Sequence, residues 1–155
     1  MKPIDPKQIR ETAEESFRQG HFYCSEAIIN SIRENIAPEM PPEMIAMASG
    51  FPVGIGKTKC SCGALTGAVL SMGYFFGRTE GTTPQDPRSV KSLELAKELQ
   101  EHFRGKNKLT CCSYLTRGMD MQSGEHKAQC IRFTGEMAEK LAEILKRELE
   151  DNETA

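Results

Sequence analysis

The sequence predicts an all-α fold, a compact multi-helix bundle around a central helix rich in small residues. Three observations lead there. Apolar residues recur every three or four positions along successive segments. Helix-opening and helix-ending residues bracket those segments. No alternating run of β-branched residues is long enough to suggest a sheet.

Taken in order, Asp5 or Pro6 opens a first helix through KQIRETAEESFRQ, with Ile9, Ala13 and Phe17 on one face and Gly20 ending it. A second helix starts near Cys24, carries Ala27, Ile28, Ile32 and Ile36 on its apolar face, and is stopped by Pro38. Pro41 and Pro42 open a short helix, PEMIAMAS. The loop Gly50-Phe51-Pro52-Val53-Gly54-Ile55-Gly56 follows, its glycines permitting backbone angles that other residues resist. It lacks the GK[ST] ending that would mark a phosphate loop.

The charge-free stretch CSCGALTGAVLSMGYFFG is near the lower length limit for a membrane span. Ser61, Thr66, Ser71 and four glycines make it weakly hydrophobic for that role, so it reads as a buried central helix. Gly63, Gly67, Ala64, Ala68 and Ser71 put small side chains every three or four residues, which lets a second helix approach closely. Residues 79–89 form a polar surface loop. Ser89 caps a helix through SVKSLELAKELQEHFRG with Leu93, Ala96, Leu99 and Phe103 as its stripe. Thr110 caps a short helix over CCSYLTR. Ser123 or Gly124 opens a long helix to about Leu149, apolar at Ile131, Phe133, Met137, Leu141, Ile144 and Leu145. Residues 1–150 thus read as a single all-helical domain and 151–155 as a disordered tail.

The 155 residues suffice for one domain with its own core. The net charge of -2 offers no overall basic field for nucleic acid or an anionic membrane. Neither a nucleic-acid partner nor stable membrane insertion is expected. The opening MKPIDPKQIR has no apolar run that could serve as a secretory signal. The expected compartment is therefore the cytoplasm, where thiols stay reduced. Six cysteines in a reduced compartment read as ligands or redox groups ahead of a disulfide framework.

Those cysteines are Cys24, Cys60, Cys62, Cys111, Cys112 and Cys130, and no two form a CxxC pair. Cys24, Cys62 and Cys112 fall in the first turn of a predicted helix, and Cys130 in the second turn of the last one. A helix N-terminus carries about half a positive charge, so thiols there are expected to have lowered pKa values. Such ends meeting in one place would suit an iron–sulfur cluster held by thiolates, or a thiolate that attacks a disulfide. A third reading makes the cysteines small core hydrophobes. His21 lies close to Cys24 but reads as a surface residue, and His102 and His126 as solvated. Lys57 and Lys59 flank Cys60 in an exposed basic loop. Tyr23, Tyr74 and Tyr114 read as core residues.

Cys62-Gly63-Ala64-Leu65-Thr66-Gly67 resembles the CGAxxG motif of a prokaryotic family of redox-active proteins named for its pattern, C_GCAxxG_C_C. The resemblance runs from about Phe17 to Leu145. Tyr23-Cys24-Ser25-Glu26-Ala27 is similar to the family's first cysteine segment, and Ala48-Ser49-Gly50-Phe51 through Gly54-Ile55-Gly56 to its glycine-rich loop. Cys112-Ser113-Tyr114-Leu115 is similar to its third segment, and Cys130 to the fourth. The resemblance implies a four-cysteine site of Cys24, Cys62, Cys112 and Cys130. On this basis the four would hold an Fe–S cluster and serve electron transfer with a redox partner protein, or would hold zinc as a structural module. Without metal, Cys62 and Cys112 would be redox-active thiols in thiol–disulfide exchange. The chain departs from the pattern in Cys60 and Cys111, which are extra, and in Pro52-Val53, where the family has glycines.

Overall fold

The structure, a computed structural model, describes residues 2–151, at position 151 the backbone alone. It is all-α. Seven α-helices and a closing π-helical turn are described, and among the described residues the only β pairing is one antiparallel bridge between Ser61 and Cys111. Of the expected tail over 151–155, Asp151 instead closes the π-helical turn, and residues 152–155 lie outside the described residues.

Helix α1 (Pro6–Arg18) is capped by Asp5, whose carboxylate accepts from the Lys7 and Gln8 N–H groups, with Pro6 in the first turn. Ile9 and Ala13 are buried as the spacing predicts. Helix α2 (Cys24–Asn35) starts where the Tyr23 N–H donates to the Glu26 carboxylate at 2.8 Å. The other Glu26 oxygen accepts from Ser49 Oγ at 2.7 Å, which ties this helix start to the chain beyond α3 (Glu43–Met47). The small-residue helix α4 (Gly63–Phe76) packs against three others.

Helix α5 (Pro87–Asn107) opens earlier than expected, because Asp86 followed by Pro87 is the stronger start signal; Asp86 accepts from the Arg88 N–H at 2.9 Å. The buried stripe is Leu95, Leu99 and Phe103, four residues apart. Leu93, expected inside, is 71% exposed. Helix α6 (Cys112–Leu115) is a single turn whose cap is Cys111 in place of the expected Thr110. Helix α7 (Gly124–Leu145) is capped by Ser123 Oγ, which accepts from the His126 N–H at 3.1 Å. It passes into a π-helical turn, Lys146–Asp151, where a continuous α-helix to about Leu149 was expected.

Two helices organise the core. α4 contacts α2, α5 and α7, while α7 contacts α1, α2, α4 and α5. Phe103 of α5 meets Phe133 of α7 edge-on, ring centroids 5.4 Å apart. Glycines set the closest crossings. A β-carbon on Gly67 would lie 2.6 Å from Ser25 Cα, so α2 rests directly on the α4 backbone. Among the described residues no helix is long and apolar enough to cross a membrane.

Candidate functional site

The α2–α4 crossing fixes the first two thiols. Cys24 is the first residue of α2 and Cys62 the N-cap of α4. Gly63 makes their proximity possible, since a β-carbon there would sit 2.5 Å from Cys24 Sγ. The CGAxxG glycines therefore have a steric cause: Gly63 accommodates the Cys24 sulfur and Gly67 the backbone behind it.

The third thiol comes from the paired segments on either side of the Ser61–Cys111 bridge. The Cys62 N–H donates to Thr110 O at 2.8 Å, Cys112 N–H to Cys60 O at 2.6 Å, and Ser113 N–H to Lys59 O at 2.8 Å. This short ladder locks Cys112 beside Cys62. Cys130 enters from α7, and the Gln129 amide donates to Leu115 O at 2.7 Å, holding α6 against that helix. Cys24, Cys62, Cys112 and Cys130 line one cavity of about 410 Å³.

The remaining wall is the loop before α4. Val53, Gly54, Ile55, Gly56 and Lys57 all have φ between +55° and +67°, and Lys59 has φ +58°. Five consecutive left-handed residues make one left-handed turn, a conformation that costs L-residues roughly 1–2 kcal/mol each. Gly54 is obligatory, because a β-carbon there would lie 2.3 Å from the Cys60 nitrogen. Val53, Gly54, Lys57 and Lys59 face the cavity from this turn.

The expected lowering of the thiol pKa values is overturned inside the cavity. Burial pushes Cys24 far above the ordinary thiol range, and Cys62 and Cys130 add to it. Burial raises Cys62 to about 11 against the opposing amides of Ala64 and Leu65, and Cys130 to about 12 with help from Cys62 and Cys112. Cys112 is raised by burial, with Lys59 opposing. Desolvation of a thiolate outweighs the helix-end dipole at all four positions.

Cys111 behaves oppositely. Its sulfur lies 3.0 Å from Ser113 Oγ, and that contact, followed by the Ser113 amide, lowers its pKa. Cys60 is exposed. The six thiols therefore divide into an inner four and an outer two.

His126, read from sequence as solvated, lines the cavity with Nε2 3.4 Å from Cys130 Sγ. The four-residue His126–Cys130 spacing on a predicted helix was the available signal, since such pairs share a face. His21 is exposed and borders a neighbouring hollow, apart from the thiols. His102 is half-buried on α5, its pKa lowered chiefly by burial and then by Lys140 and Lys106. Tyr23, Tyr74 and Tyr114 are exposed, against the core role expected for them.

The donor set suits a soft, electron-poor group. Among the described residues, no three His, Cys, Asp or Glu side chains converge closely enough to hold one metal ion. Tetrahedral zinc with bonds of about 2.3 Å needs its sulfurs roughly 3.8 Å apart. Four of the segments that line the cavity, α2, the start of α4, α6 and α7, carry one thiol each.

A profile of the family described as "Putative redox-active protein (C_GCAxxG_C_C)" matches residues 22–144, a span that includes all six cysteines. No curated protein and no solved structure matches the chain.

Proposed function

We propose, from the premise that the chain belongs to the C_GCAxxG_C_C family of redox-active proteins, that Cys24, Cys62, Cys112 and Cys130 hold an iron–sulfur cluster used for electron transfer. The observation that carries this reading is the meeting of four thiols from α2, α4, α6 and α7 in one desolvated cavity. When bound, such a cluster supplies one-electron chemistry whose potential depends on charge, burial and N–H groups near the sulfurs.

The chain's own residues have distinct parts in this reading. The inner thiols, kept neutral chiefly by burial, would give up protons on becoming ligands. Phe17, Val53 and Met121 keep the cavity apolar. The amides of Ser25, Ala64 and Leu65 favour the thiolates of Cys24 and Cys62. Lys59 offsets negative charge at Cys112, and His126 stands against Cys130. Reduced thiols of this kind are suited to a cytoplasmic setting.

The raised pKa values weigh against Cys62 and Cys112 as nucleophiles in thiol–disulfide exchange, which needs thiolate near neutral pH. The spread of the thiols weighs against a single structural zinc ion. Anaerobic purification with iron, sulfide and zinc analysis and a visible spectrum, on wild type and Cys62→Ser, tests the reading. Iron and sulfide with visible bands, lost in the variant, support it. A colourless protein with a reversible Cys62 disulfide contradicts it in favour of exchange, and zinc alone in favour of a structural module.

A further inference from the structure

The chain as a whole is slightly acidic, yet the face around the thiol cavity is basic. No acidic residue lies between Glu43 and Cys62, or between Glu101 and Asp120. The same two stretches contain Lys57, Lys59, Arg104, Lys106, Lys108 and Arg117. That leaves 14 basic residues against 22 acidic ones elsewhere in the chain. The stretches are adjacent in space, joined by the ladder linking Lys59, Cys60 and Cys62 to Thr110, Cys112 and Ser113.

All six basic side chains are exposed, and none joins an ion pair among the described residues. Elsewhere eight of the 14 basic residues are ion-paired, as in Arg10–Glu139 at 2.7 Å and Lys140–Glu98 at 3.0 Å. The basic face thus keeps its outward field, which steers an oppositely charged partner.

It also has apolar area. Tyr114 is 58% exposed with the Arg117 guanidinium 5.8 Å from its ring centre, and Ile55 and Leu109 are exposed on the same two stretches. Tyrosine and arginine are the residues that most often anchor protein interfaces.

We infer that this face is the docking surface for an acidic redox protein, which the basic residues draw in and Tyr114 and Ile55 then contact. The partner's redox character rests on the function proposed above; the surface itself rests on charge and exposure. Docking there brings the partner over Cys60 and Cys111, and the Cys60 carbonyl accepts from the N–H of Cys112 in the cavity wall at 2.6 Å. Protein is favoured over nucleic acid because Lys57 and Lys59 of this face line the thiol cavity and most of the remaining charge is negative.

The test is an amide NMR titration of the full chain, metal-free and anaerobically reconstituted, with a strongly acidic [2Fe–2S] ferredoxin as probe. The expected shifts concentrate in 55–60 and 106–117, and affinity falls about tenfold or more between low and moderate salt. Lys108→Glu with Arg117→Glu, neither lining the cavity, weakens binding by a similar factor. Should that variant misfold, the salt dependence in wild type still decides. Shifts spread evenly, centred elsewhere, absent, or insensitive to salt overturn the inference. Tighter binding of a short DNA duplex to the same face at equal ionic strength overturns it too. Because the metal-free chain is titrated in parallel, failure of the cluster reading is seen separately in the iron analysis.

Discussion

Gly63 and Cys24 touch: a β-carbon on Gly63 would stand 2.5 Å from the Cys24 sulfur. The contact links the helix crossing to the proposed ligand set, because Cys24 opens α2 and its sulfur rests on the first residue of α4.

Gly63→Ala is predicted to force that displacement. The cost expected is about 1–3 kcal/mol, the range for overpacking a tight core, together with reduced iron uptake. Gly73→Ala, whose β-carbon would meet nothing within 4 Å, is the control, and a helical alanine there should stabilise slightly. Denaturant midpoints and iron content of both variants check this. Full iron loading in Gly63→Ala would show that Cys24 is not confined as described.

Stability of the metal-free, reduced chain is predicted to fall at alkaline pH. A thiol in the unfolded chain ionises near about pH 8.5, while native Cys62 and Cys130 hold their protons to about 11 and 12. Between those limits the native state binds more protons than the unfolded one, so raising the pH favours unfolding. The contribution is fully present below about pH 8.5 and lost as pH rises through the native values, on the order of 3 kcal/mol from Cys62 alone. Urea midpoints from pH 8 upward for wild type and Cys62→Ala should converge if this is right, and parallel curves would contradict it.

The left-handed turn gives a prediction of opposite sign. Ile55 is β-branched at φ +62° and 45% exposed, so it carries the conformational penalty with little burial in return. Ile55→Gly removes roughly 1–2 kcal/mol of strain against roughly 0.5–1 kcal/mol of added unfolded-state entropy. A net gain of about 0.5–1 kcal/mol is expected in thermal or urea unfolding. A loss of that size would mean that the Ile55 side chain packs where exposure shows little packing.

The helices were legible because periodic apolar positions and caps are local signals. Asp5, Ser123 and the Ile28–Ile32–Ile36 stripe act as local chemistry requires. Leu93 misled because an apolar residue at helical spacing does not say which helix will cover it, and none does. The cysteine set followed from the CGAxxG resemblance, but the pKa directions did not. A helix-end dipole can be read from sequence, whereas desolvation depends on how far four distant segments close around one another. The same holds for His126, whose place beside Cys130 needs the helix orientation, and for the basic face, which needs residues 59–62 and 110–113 to be paired.

The most direct measurement is site-by-site thiol alkylation, read by mass spectrometry, on the anaerobically reconstituted protein and on the same protein after chelation. Rapid labelling of Cys60 and Cys111 is predicted in both, with protection of Cys24, Cys62, Cys112 and Cys130 that exceeds burial alone and is relieved by chelation. Protection of Cys60 or Cys111 by the cluster, or inner thiols that label equally with and without it, would contradict the four-cysteine assignment.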